Sequence, residues 1–103
     1  MIRIDSKITP TSLLSATDQL FTLSARKISR LEKTWNPAKG TPVFTVAGRY
    51  TSRGWTEWTQ GFQFGSAILQ FDATDDAAML EIGRRTTVEH MASHVSHVGV
   101  CAR

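Results

Sequence analysis

Leu14, Phe21, Ile28 and Trp35 recur every seven residues, with Leu13, Leu20 and Leu31 beside them. Seven residues are close to two helical turns, so these side chains share one stripe and predict a helix from about Thr11 to Trp35. Thr9-Pro10-Thr11-Ser12 offers capping oxygens and a proline suited to a first turn. Asn36-Pro37 ends the helix, because a residue that precedes proline is pushed out of the helical region. The opposite face carries Arg26, Lys27, Arg30 and Lys33, which reads most simply as a solvated helix face.

A second helix is expected from Thr59 or Gln60 to Asp72. Its apolar residues, Phe62, Phe64, Ala67, Ile68, Leu69 and Phe71, surround most of its circumference and predict burial on more than one side. Gly61 and Gly65 weaken a helix, which points to close backbone approach there. Thr74-Asp75-Asp76 opens a third helix, from about Asp75 to Ser93, with acids at the positive end of its dipole. Residues 1–8 form an extended lead-in. Residues 36–56, punctuated by Pro37, Gly40, Pro42, Gly48 and Gly54, read as a long irregular loop in which Val43–Val46 is extended without an evident partner.

The expected architecture is therefore all-α, with one domain over residues 1–103. The second helix is too apolar for three helices to cover, so the domain reads as incomplete, with self-association through exposed apolar surface as a consequence. No apolar run reaches the length of a membrane helix, and the start Met1-Ile2-Arg3-Ile4-Asp5 lacks the core of a secretory signal. With the single Cys101 forming no internal disulfide, the default compartment is cytoplasmic. The net charge of +3 divides unevenly: residues 1–53 carry nine Lys/Arg against three Asp/Glu, and residues 54–103 three against six. No basic block exceeds two residues in a row, so no nucleic-acid partner is expected.

The densest chemistry runs from Arg53 to Gly65, in Arg53-Gly54-Trp55-Thr56-Glu57-Trp58-Thr59-Gln60-Gly61-Phe62-Gln63-Phe64-Gly65. Aromatics at a loop-to-helix junction make either a core anchor or a flat apolar floor on which sugar rings stack. Within this run, Trp58-Thr59-Gln60-Gly61-Phe62-Gln63-Phe64-Gly65 resembles the Trp-Thr-x-Gly-Phe-x-x-Gly signature of unsaturated glucuronyl hydrolases, glycoside hydrolase family 88, related to family 105. In that family the signature leads into an inward helix, an acidic Thr-Gly-Asp turn and an outward helix. Here Asp72-Ala73-Thr74-Asp75-Asp76 stands at the turn.

The resemblance covers about residues 55–100 and implies a helical hairpin segment of an (α/α)6 toroid. It implies an enzyme that hydrates the vinyl-ether bond of an unsaturated uronic acid: an aspartate protonates the bond and directs water onto it, and the hemiketal opens to release the partner sugar. It implies an oligosaccharide ligand held by Trp55, Trp58 and Phe62, with Gln60 and Arg53 as polar contacts, and no metal or cofactor. The family then reads His-Asp-x-Gly-Phe, whose aspartate is the acid/base. This sequence reads Cys101-Ala102-Arg103 at that place. The expectation is an N-terminal segment, inactive alone and without a catalytic residue. The alternative is a non-catalytic helical module that binds carbohydrate or protein.

Two further arrangements are weaker. His90, His94 and His97 follow an i, i+4, i+7 spacing that can hold zinc, but read more simply as solvent-facing residues near a helix end. Glu57 and Asp72 are the acids nearest the aromatic run, yet most of a helix separates them.

Overall fold

A computed structural model describes residues 2–52 and 59–95, the last five of these by their backbone. The chain is mostly helical, with three helices and a small two-stranded sheet. Thr9 and Ser12 exchange hydrogen bonds at its first helical turn: Ser12 N donates to Thr9 Oγ1 at 3.1 Å, and Thr9 N donates to Ser12 Oγ at 2.9 Å. This reciprocal arrangement satisfies amides that a helix start leaves free. A 3-10 turn, Thr11–Leu13, runs into α1, Leu14–Thr34.

Trp35 leaves the helix in an extended conformation, and its indole N–H donates to Gly40 O at 2.8 Å. The intervening 3-10 turn Pro37–Lys39 is capped by Asn36, whose side chain accepts from Ala38 N at 3.0 Å. Gly40 has φ 84 and ψ −153, backbone that is essentially restricted to glycine.

The expected irregular loop contains a β-hairpin. Strand β1, Pro42–Val46, pairs antiparallel with β2, Arg49–Ser52, through Phe44↔Thr51, Thr45↔Tyr50 and Val46↔Arg49. Arg49–Ser52 is thus the partner that the sequence did not disclose. Ala47 (φ 50) and Gly48 (φ 73) make a two-residue turn with both residues left-handed. Asparagine or aspartate usually fills the first position of such a turn, and alanine there hides the signal. Tyr50 meets the edge of Trp35 with ring centroids 6.5 Å apart, which holds the hairpin against the end of α1.

Helix α2, Thr59–Thr74, extends two residues past its expected end, and α3, Ala77–Val95, starts two residues late. Asp75 is the reason. It adopts φ 55, a left-handed conformation that closes α2, and its N–H donates to Phe71 O at 2.8 Å. Asp76 then caps α3, accepting from Ala78 N at 3.0 Å. After this reversal α3 returns along α2.

The small core lies along α2. Phe64, Ala67 and Gln70 are buried on its inner face, and Met79 is buried on α3. Gln70 reaches across to α1, donating from Nε2 to Phe21 O at 3.0 Å. Burial is less extensive than the apolar count predicts: Phe62 and Leu69 are 69% and 65% exposed on the outer side of α2. The glycine expectation shifts as well. A Cβ at Gly65 would meet nothing within 4 Å, whereas at Gly83 it would strike the Ile68 side chain and stand 3.3 Å from Ile68 N. The close approach is therefore made by α3, at a glycine that the sequence did not single out.

These differences give opposite outcomes for one substitution. Gly65→Ala should stabilise the fold by about 0.5–1 kcal/mol, because it restricts the unfolded chain and meets open space. Gly83→Ala should destabilise it by about 1–3 kcal/mol through overpacking, despite alanine's better helix propensity. Asp75→Gly should add up to about 1 kcal/mol by relieving the left-handed residue. Urea unfolding of the three variants measures each difference.

Candidate functional site

The start of α2 faces a small cavity of about 60 Å³. The last turn of α1 supplies Glu32, and the following turn supplies Trp35 and Gly40. The first turns of α2 supply Gln60, Gln63 and Phe64, and the second half of α3 supplies Arg85, Thr86, Glu89 and His90. Each part is placed by a feature already described. The Asn36-Pro37 break turns the chain so that the Trp35 indole reaches Gly40 O. The Asp75-Asp76 reversal brings the far half of α3 level with the start of α2. Gln60 and Gln63, three residues apart on a helix, point to the same side.

His90 stacks on Phe64, with ring centroids 5.6 Å apart and planes 25° from parallel. Arg85 binds Glu32 of α1, and its other terminal nitrogen lies 3.7 Å from Glu89 one turn further along α3. Its pKa is raised, through the hydrogen bond that it donates to Glu32 and the charge of that carboxylate, with smaller contributions from Glu89 and Glu81. Glu89 Oε2 also stands 4.0 Å from His90 Nε2. Glu32, Arg85 and Glu89 thus form a run of alternating charge from α1 to α3 along the cavity, and the amides of Gln60 and Gln63 stand on its α2 side. The group offers carboxylate and amide oxygens as acceptors, with amide and guanidinium N–H groups as donors, beside the stacked Phe64 and His90 rings. Sugar hydroxyls pair with such groups, since each both donates and accepts.

Of the residues expected to hold a sugar, Gln60 is at this cavity. Phe62 stands on the exposed side of α2, because residues two apart on a helix face nearly opposite ways. Phe64 takes the position at the cavity. Arg53, Trp55 and Trp58 lie outside the described residues, as do Glu57, His97 and the side chain of His94. His90 is partly buried against Phe64 instead of facing solvent. Trp35 and Arg85 belong to the site although neither was singled out for it. Glu32 and Arg85 are 53 residues apart, and no sequence spacing announces their pairing.

No family model, curated protein or solved structure matches this chain. Among the described residues, no helix is long and apolar enough to cross a membrane.

The Arg85 bridge is partly exposed, with side-chain exposures of 42% for Arg85 and 29% for Glu32. Arg85→Gln should therefore cost no more than about 1 kcal/mol at low ionic strength. Salt screens such pairs, so the loss should shrink in 1 M sodium chloride, as paired urea titrations at the two salt concentrations would record.

Proposed function

We propose that this chain forms part of a helical-toroid glycoside hydrolase acting on unsaturated uronic-acid oligosaccharides, and that it contributes to the sugar-binding surface. One observation carries the reading. The resemblance to family 88 places a glycine in the acidic turn after the Trp58–Gly65 signature, and Asp75 at that place has the left-handed φ of 55 that glycine adopts most readily. The order of elements agrees: signature, helix, acidic reversal, returning helix. On this reading α2 and α3 are one helical hairpin of a ring, and a following unit covers Phe62 and Leu69. Gln60, with Trp55, Trp58 and Arg53 just before it, meets the sugar.

The second reading, a non-catalytic carbohydrate-binding module, is favoured by the ion pairing at the cavity. Glu32 and Glu89 are both engaged with Arg85, so they offer acceptors instead of a proton for a vinyl ether. Both readings expect the chain to bind sugar without turnover; they differ in whether the complete protein turns the sugar over.

The purified chain should bind an unsaturated uronate disaccharide, seen as a change in tryptophan fluorescence. Trp58→Ala and Gln60→Ala should each weaken binding by about tenfold, the effect of losing one good contact. The double-bond absorbance of the disaccharide should stay constant with the chain alone. Absence of saturable binding would overturn both readings, and loss of absorbance above a heat-treated control would overturn the non-catalytic one.

A further inference from the structure

A second cleft lies on the other side of α1, lined by residues that the sugar reading does not use. It is open, about 440 Å³ in volume, and runs between the second half of α1 and the Asp75-Asp76 reversal. Arg26, Arg30 and Lys33 form one wall, with the Ser29 and Thr34 hydroxyls between them. Met79, buried in the core, lies at its base, and Asp76 stands at the α3 side.

The three cations follow an i, i+4, i+7 spacing and so share one face of α1, spread over about 10 Å of helix axis. None of the ion pairs among the described residues involves them, since all of these are made by Arg85 or His90. Nor does α1 supply an acid one turn away: the residues four before them are Thr22, Arg26 and Ser29. Like charges at such spacings repel one another on a helix surface. The helix dipole favours Lys33 in the last turn, but its influence fades before Arg30 and Arg26. A solvated face with mixed charges would avoid this repulsion, whereas a ligand carrying two or three negative groups would relieve it. Asp76, the acid among the described residues at the cleft, is occupied in capping α3.

We infer that the cleft between α1 and the α2–α3 reversal binds a small multivalent oxyanion, with carboxylate, sulfate or phosphate groups meeting Arg26, Arg30 and Lys33. A long nucleic-acid strand fits less well. Among the described residues no aromatic side chain lines the cleft to stack a base, and Asp76 at its α3 side would repel a continuous phosphate backbone. The site is independent of the cavity at the start of α2, because Gln60 lines that cavity and does not line this cleft.

Titration calorimetry of the purified chain at low salt, with tripolyphosphate and with a saturated triuronate, tests the assignment. Acetate and a six-nucleotide single strand serve as comparisons. One trianion should bind at one per chain, and the tighter of the two identifies the anionic group. Arg30→Gln should weaken it at least about tenfold, the scale of one charge-assisted contact. Lys27→Gln removes the same charge from α1 outside the cleft and should change affinity by less than about twofold, as a screened surface charge does. Asp76→Asn keeps a capping side chain and should tighten binding. Three results would overturn the site: neither trianion binding better than acetate, equal weakening by Arg30→Gln and Lys27→Gln, or the nucleotide strand binding tighter than both trianions. Because Gln60→Ala changes the lining of the other cavity and not of this cleft, failure of the sugar reading and failure of this one are separable.

Discussion

The close approach of α3 to α2 at Gly83 is the constraint on which the arrangement of the chain depends. Ile68 occupies the space that a side chain at Gly83 would need, so the two helices meet nearly backbone to side chain at this level. Packing this tight sets the register of the pair. It places Met79 in the core below the contact and His90 against Phe64 above it. Thr86 and Thr87 assist from inside α3, each donating its hydroxyl to a carbonyl one turn back, Ile82 O and Gly83 O at 2.7 Å. Hydroxyls tied to the backbone in this way need no partner from a neighbouring helix.

Polar links then attach α1 to the pair, because few apolar side chains are fully buried. The buried hydrophobic residues among those described are Phe64, Ala67 and Met79. Gln70 and Arg85 do what a larger core would otherwise do: one bonds the Phe21 carbonyl near the middle of α1, and the other pairs with Glu32 near its end. The Gln70 link carries a cost. Its Oε1 is buried without a hydrogen-bond partner among the described residues, an arrangement that costs about 1–3 kcal/mol against solvation by water. A chain that spends stability on a buried amide gains a directional contact, which a leucine would not supply. The stripe of α1 is used unevenly as a result. Phe21, Ile28, Leu31 and Trp35 are half-buried, while Leu13, Leu14 and Leu20 remain exposed near its start.

The two clefts follow from these attachments. Arg85 and Trp35 line the polar cavity at the start of α2. On the other side, the reversal at Asp75-Asp76 meets the basic half of α1 and leaves the open cleft beside Arg26, Arg30 and Lys33. The uneven charge along the chain thus acquires a geometric meaning. Most of the basic side chains of α1 face away from the cavity, and Arg85 of α3 carries the positive charge within it.

The sequence alone determined the elements whose causes are local. The seven-residue stripe and Asn36-Pro37 set the span and end of α1, and the apolar run after Thr59 set α2. The acids before Ala77 marked the start of α3 to within two residues. Proline, capping oxygens and helical periodicity act over a few residues, so one segment is enough to read them. The β-hairpin escaped because its turn is Ala47-Gly48, and the stability of a strand lies in a partner that local pattern does not name. Gln60 was singled out because it sits in a motif, and it lines the cavity. Phe62 was placed at the sugar and Phe64 was not, since the motif does not say which side of α2 faces inward. Only tertiary structure decided that, together with the Gly83 contact, the Glu32–Arg85 pair and the His90–Phe64 stack. Each of these joins residues far apart in the chain, and their distance is a property of the packed helices that no spacing in the sequence encodes.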